Sequence, residues 1–328
     1  MNELFGLSMT YIAIGCVAVT AAILLFVAFI AVRNPVMFKM GLRNIPRRKA
    51  QTALIVVGLM LSTLIMSAAF GTGDTLTSSV TSEVYTILGR ADEIIVWDTD
   101  KEAKPVNKQT IPLSTVETLR REFVNDPDIQ AFVPFLSEKL SVQDQRTKLN
   151  EASPNIVAFR TDDAKALGGL RDRDGKDVSL AGNEIAVNEK LAGSIDARVG
   201  DTLLTFYQGA STEFTVKAIV PNTLLGGTFS SGDRKGAAVD FAVLAKLTGK
   251  TDSADGVFVS NRGGVKGGMG HSDAAKVKLE RALDGTPYKV DTFRQDRIRT
   301  AELVGNAFTT ICTESLPMQP LVSMPKTS

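Results

Sequence analysis

Two long stretches without a charge open the chain: Tyr11 to Val32, 22 residues, and Ala53 to Gly73, 21 residues. At about 1.5 Å of helical rise per residue each reaches roughly 30 Å, the hydrocarbon thickness of a bilayer. They predict transmembrane helices at 11–32 and 53–73. The connection at 33–52 carries Arg33, Lys39, Arg43, Arg47, Arg48 and Lys49, and Glu3 is the only acid before Asp74. A short, purely basic loop stays cytoplasmic, which puts residues 1–10 and everything after Asp74 on the outer side. A signal peptide fits poorly, because Met1 to Thr10 holds no cation and the apolar run exceeds the usual core of about 7–15 residues. The plain alternative, two buried helices of a soluble core, does not account for the basic hairpin between them.

Within that loop Phe38, Leu42 and Ile45 fall at i, i+4 and i+7, with Lys39 and Arg43 on a neighbouring face and Pro46 closing the run. The spacing predicts a short amphipathic helix in the cytoplasmic interface; a solvated charge run that only sets topology is the other reading. In the second span Gly58 with Ser62, and Thr63 with Ser67, offer small faces for helix packing.

The six cations and one acid of the first 73 residues leave 31 Lys and Arg against 35 Asp and Glu in the rest, with no basic stripe for nucleic acid. Cys16 lies in the first span and Cys312 near the other end of the sequence, so no disulfide is expected in the external domain. The single histidine, His271, follows the Gly-rich stretch Arg262 to Gly270 and reads as an exposed loop residue rather than a metal ligand.

From Asp74 a polar, Ser/Thr-rich stalk helix is expected up to Gly89, followed by a strand at Glu93 to Trp97. Ser114 and Glu117 predict a capping box opening a helix to about Val124. Strands are expected at Ala131 to Val142 and Asn155 to Phe159, then a loop at 168–182 that separates two lobes. Beyond it come a strand at Glu184 to Val187, a short helix at 188–192, a turn at Val199-Gly200-Asp201, and strands to Tyr207 and from Glu213 to Val220 around a hairpin turn. Helices at 240–247 and 273–283, strands at 257–260 and 288–290, and a last helix from Phe293 to about Phe308 complete a mixed α+β domain over 74–302.

Enzyme chemistry finds no foothold in the sequence. The stretch Gly263 to Gly270 has Lys266 followed by glycine, not Ser or Thr, and so reads as a flexible loop and not a phosphate loop. No G-x-S-x-G elbow occurs. The acid pairs Asp162-Asp163 and Asp172/Asp174 sit in polar loops, and one Trp and four Tyr are too few for a carbohydrate cleft. No catalytic residue, cofactor or metal is expected.

Two segments carry a family resemblance. Phe38 to Lys49 (FKMGLRNIPRRK), running into the second span, resembles the entry to the first core helix of FtsX-like permeases, the MacB type of ABC transporter membrane subunit. Asn183 to Ala192 (NEIAVNEKLA), Val199 to Leu203 (VGDTL) and Phe214 to Val220 (FTVKAIV) are similar to the MacB-like periplasmic core domain, with Glu184, Ala192, Gly200 and Asp201 as the signature positions. The resemblance implies a multi-pass permease subunit of the cell membrane, inner or plasma, with its large domain extracytoplasmic. It further implies pairing with a separate ATP-binding subunit and assembly as a homodimer or a heterodimer with another permease. ATP-driven motion would pass to the external domain for export or for handling lipoproteins or lipids. Such permeases have further spans after the external domain, whereas Leu303 to Cys312 starts like a span and is broken off by Glu314, Pro317, Pro320, Pro325 and Lys326. A permease truncated before its later spans is therefore expected, with an irregular tail over 303–328; a non-enzymatic, membrane-anchored binding or adaptor domain is the alternative.

Overall fold

The computed structural model describes residues 3–4, 7–36, 39–40, 49–105, 109–229, 234–300 and 303. They form two compact units, Met1–Gly71 and Thr72–Ser328.

In the first unit Glu3–Leu4 and Leu7–Ser8 pair as a small antiparallel ladder, followed by helix α1, Met9–Arg33. Helix α2, Lys49–Leu88, is 40 residues long and starts here. Leu25 and Leu54 are 71% and 75% exposed, and nothing in Lys49–Ala68 is buried. A core helix hides such residues, whereas here they are exposed. Among the described residues Lys49–Ala68 is the one helix long and apolar enough to cross a membrane, and Val17–Arg33 is a shorter apolar helix. Arg33 ends α1 with its guanidinium 5.7 Å from the Phe29 ring centre, Lys39 is exposed on a helical segment, and Lys49 opens α2. Phe38, Leu42, Arg43, Ile45, Arg47 and Arg48 lie outside the described residues, as do 304–328 with Cys312 and the rest of the expected last helix.

The second unit runs β1 (Glu93–Trp97), β2 (Ile111–Pro112), α3 (Leu113–Glu122), β3 (Ile129–Lys139), β4 (Ser141–Asp144), β5 (Asn150–Glu151), β6 (Asn155–Phe159) and α4 (Thr161–Ala164). It continues with β7 (Glu184–Asn188), α5 (Glu189–Ile195), β8 (Thr202–Tyr207), β9 (Ala210–Val220), β10 (Gly236–Asp240) and α6 (Phe241–Thr248). Then come β11 (Ser253–Ala254), β12 (Gly256–Asn261), α7 (Gly264–Gly267), α8 (Ser272–Ala282), β13 (Tyr288–Asp291) and a helical segment at 293–300. One mixed sheet of eleven strands has the order β13-β1-β12-β3-β6-β10-β7-β9-β8-β4-β5, and β2 pairs with β11 apart from it.

β3 joins the two halves of this sheet. Its residues 129–135 pair with β12 and its residues 136–139 with β6. In the loop at 168–182, Leu170, Val178 and Leu180 are buried in the core cluster that also holds Val133, Val157 and Phe258. Loop composition alone hid these three apolar anchors. The chain enters the first half at β1, crosses through β3 into the second, and returns at β12, so residues 136–250 are an excursion from a half that carries both the α2 end and the 293–300 helix.

Local chemistry explains the boundaries. The β8–β9 hairpin closes over Gln208 and Gly209, at φ +48° and +86°, the left-handed pair that a two-residue turn requires. Asn188 caps α5, its Oδ1 accepting the Leu191 N–H at 2.8 Å, while Nδ2 donates to Thr228 Oγ1 at 3.2 Å and Arg234 O at 2.9 Å. Asn188→Ala removes the cap and the donors to Thr228 Oγ1 and Arg234 O, and should lower stability by about 2 kcal/mol in denaturant melts. The expected capping box at Ser114 does not form. The helix already begins at Leu113, Pro112 is its N-cap with no side-chain bond, and Glu117 turns to Arg120 at 3.0 Å.

Candidate functional site

At the root of the domain, where α2 ends, a set of charged side chains is withdrawn from water. Val84, Ile87 and Leu88 bury the last turn of α2 in the core, and Gly89 ends it at φ +59°, the left-handed stop common after helices. Asp92, Glu93, Asn261 and Arg294 are each 0% exposed. Arg294 Nη1 lies 2.9 Å from Asp92 Oδ1 and donates to Val265 O at 2.6 Å; Nη2 donates to Gly89 O. The guanidinium stands 5.6 Å from the centre of the Tyr85 ring. One side chain from the 293–300 helix thus grips the end of α2, the first residues before β1, and the Gly-rich segment.

The rest of the cluster completes that grip. The Asn261 N–H donates to Asp92 Oδ2 at 2.9 Å, and Asn261 Nδ2 donates to Glu93 Oε1 at 2.7 Å. Backbone bonds from Asp92 N to Val259 O and from Arg294 N to Asp92 O, at 2.9 and 3.1 Å, tie the same strands. Burial pushes Asp92 above the usual carboxylate range against the pull of Arg294. It pushes Glu93 up to about 7 and lowers Arg294 against the attraction of Asp92. A buried ion pair of this kind specifies geometry more than it stabilises, and breaking it is costly.

The glycines at 263–270 have their reason here. A Cβ on Gly268 would lie 2.6 Å from Asp92 Oδ2, so only glycine lets the backbone close over the carboxylate. The expected flexible loop is two short helical turns, Gly264–Gly267 and Gly268–His271. His271, expected to be an exposed loop residue, is half-buried, with Nδ1 2.7 Å from Asp128 Oδ1; Lys278 Nζ bridges Asp126 and Asp128 at 2.6 and 2.7 Å. Its partner lies 143 positions away in sequence. Among the described residues no group of three or more His, Cys, Asp and Glu is placed to hold a metal.

The signature residues lie elsewhere and do not converge. Glu184 opens β7 and accepts from Lys217 Nζ at 2.7 Å and from the Ala181 N–H at 3.0 Å, which holds its carboxyl below the usual range. Ala192 packs inside α5 among the core. Gly200 takes φ +94° in the turn before β8. Asp201 accepts from Arg146 Nε and Nη2 at 3.1 and 3.0 Å and from the Arg198 N–H at 2.8 Å. Side-chain bonding to Arg146 keeps its carboxyl low. Glu184, Gly200 and Asp201 fasten turns and strand ends, and Ala192 fills the core.

A second set of contacts spans the junction between halves. Lys250 Nζ donates to Glu138 Oε1 at 2.9 Å and Asp255 Oδ1 at 2.7 Å, while Asp255 Oδ2 accepts the Ser137 N–H at 2.9 Å. Arg120 of α3 pairs with Asp163 of α4 at 3.0 Å. Phe135 stacks on Phe258 at 4.1 Å between ring centres.

A domain of this mixed topology, set between two chain segments fastened at one root, belongs to a recognised class. The sequence matches the MacB-like periplasmic core domain over residues 52–266, and the chain belongs to that family. It is thus a MacB-like extracytoplasmic domain of the ABC transporter permease family. Among solved structures, the periplasmic region of MacB from Actinobacillus actinomycetemcomitans is similar at 12% identity, covering 65% of this chain and 94% of that one, with TM-score 0.44. The extracellular domain of the noncanonic ABC-type transporter YknZ from Gram-positive bacteria is similar at 14% identity, covering 61% and 98%, with TM-score 0.41. No curated protein sequence matches the chain.

Proposed function

We propose that this chain is a multi-pass permease subunit of an ABC-type system, in which a separate ATP-binding subunit supplies the motion and the external domain delivers it. The work delivered is export or the handling of lipoproteins or lipids, by a homodimer or a heterodimer with a second permease. The basic segment with Arg33, Lys39, Arg43, Arg47, Arg48 and Lys49 faces the cytoplasm and fixes orientation in this reading. The observation that carries it is the buried grip of Arg294 on Gly89 O, Val265 O and Asp92. A domain that only binds a partner has no need to lock the end of a long helix into its root, whereas one moved through that helix does.

Copurification tests the proposal. The full chain, expressed in its host and extracted in mild detergent, is expected to bring down an ATP-binding subunit. Recovery of a defined external partner with no ATP-binding subunit would overturn the reading in favour of an anchored adaptor.

A further inference from the structure

Asn261 and Glu93 are both fully buried, and each keeps one side-chain oxygen for which no donor is supplied. Asn261 Nδ2 faces three acceptors: Glu93 Oε1 at 2.7 Å, Gly268 O at 3.2 Å and Ser272 Oγ at 3.4 Å. Gly268 O can only accept, so turning the amide over would set Oδ1 against that carbonyl. Asn261 Oδ1 and Glu93 Oε2 are then the two atoms left without a partner. A buried acceptor lacking its donor costs about 1–3 kcal/mol, and here two such atoms belong to groups already bonded to one another. A single proton resolves both, since a carboxylic acid and a primary amide can bond in both directions at once.

We propose that Glu93 is held as a neutral carboxylic acid whose Oε2–H donates to Asn261 Oδ1, making the root of the domain a proton-dependent latch. The charged and titratable groups around it are consistent with this. Just before β1 Asp92 repels a second negative charge, while Arg294 from the 293–300 helix attracts one but is engaged with Asp92. From the start of α8 Ser272 favours the charged form of Glu93 without offsetting burial, and His271 acts on Asp92 with its Nδ1 turned to Asp128. From the end of α2 Tyr85 meets the guanidinium and not the carboxyl. Burial is the largest influence on Glu93 and favours the neutral form.

The sign follows by linkage. The folded state keeps a proton up to about pH 7, whereas an ordinary glutamate releases it near 4.5. This stabilisation is complete below about pH 4.5, falls as pH rises toward 7, and changes no further above that. Losing the proton leaves a carboxylate facing an amide oxygen, and the contacts released are those holding Gly268 and Ser272 against Asn261 of β12. The inference rests on the joint alone and stands whether or not an ATP-binding subunit drives it.

Hydrogen exchange of the full chain, normalised for intrinsic rate, tests it across that interval. Protection of residues 93–95 and 261–272 is expected to fall by up to about tenfold per pH unit in the native chain, and to lose that dependence in Glu93→Gln. An unchanged pH dependence in the variant, or no fall in the native chain, overturns the proposal. Should the variant fail to fold, infrared spectra of the native chain with isotope-labelled glutamate decide it. A glutamic-acid carbonyl band at pH 6 that shifts with the label supports the latch, and its absence overturns it.

Discussion

Arg294→Met should destabilise the external domain by about 3–5 kcal/mol, the range for removing one partner of a buried ion pair. The substitution leaves Asp92 buried without its counter-charge and takes the donors away from Val265 O and Gly89 O. Arg294→Lys should recover little, because one ammonium on a flexible stem does not reproduce a planar fork reaching three acceptors. Adding Asp92→Asn to Arg294→Met should restore part of the loss: the uncompensated charge is gone, and an amide oxygen can still accept the Asn261 N–H now bonded at 2.9 Å. Denaturant midpoints of the four chains measure this directly. A double variant no better than Arg294→Met would show that the lost backbone contacts, and not the stranded charge, dominate.

Gly227→Ala should cost about 3 kcal/mol through a different mechanism. Gly227 sits at φ +85°, and a Cβ there would lie 2.6 Å from Asn155 O and 2.9 Å from Ala237 N. Those are backbone atoms of β10 and of the first residue of β6, fixed by parallel pairing of Gly236 with Asn155. Left-handed strain of about 1–2 kcal/mol adds to overpacking of about 1–3 kcal/mol. Gly249→Ala is the matched control, with φ +73° and nothing within 4 Å of the new Cβ, so only the strain of about 1–2 kcal/mol should remain. Thermal melts of the two variants separate steric from conformational effects; equal shifts would contradict the close approach at Gly227.

How legible this was in the sequence depended on the range of the interactions. Local signals placed elements well: Glu93–Trp97 and Asn155–Phe159 have the bounds their apolar runs predict, and Gly200-Asp201 turns the chain into β8 as expected. The single-sheet architecture was hidden because β3 changes partners midway, from β12 to β6. The joint was invisible for a similar reason. Asn261 and Glu93 meet across 168 positions and Arg294 and Gly89 across 205, so no spacing rule brings them together. The one available hint was the glycine density at 263–270. It reads as flexibility until Asp92 is seen beneath Gly268, where the missing side chain is what allows contact.

One buried arginine fastens the end of α2 and the 293–300 helix to the same root, so the two are expected to open and close together. Hydrogen exchange of the full chain with and without Arg294→Met addresses this most directly. Residues 84–95 and 293–300 are expected to share one opening free energy in the native chain and to lose protection together in the variant. Loss confined to 293–300, with 84–95 as protected as before, would contradict it.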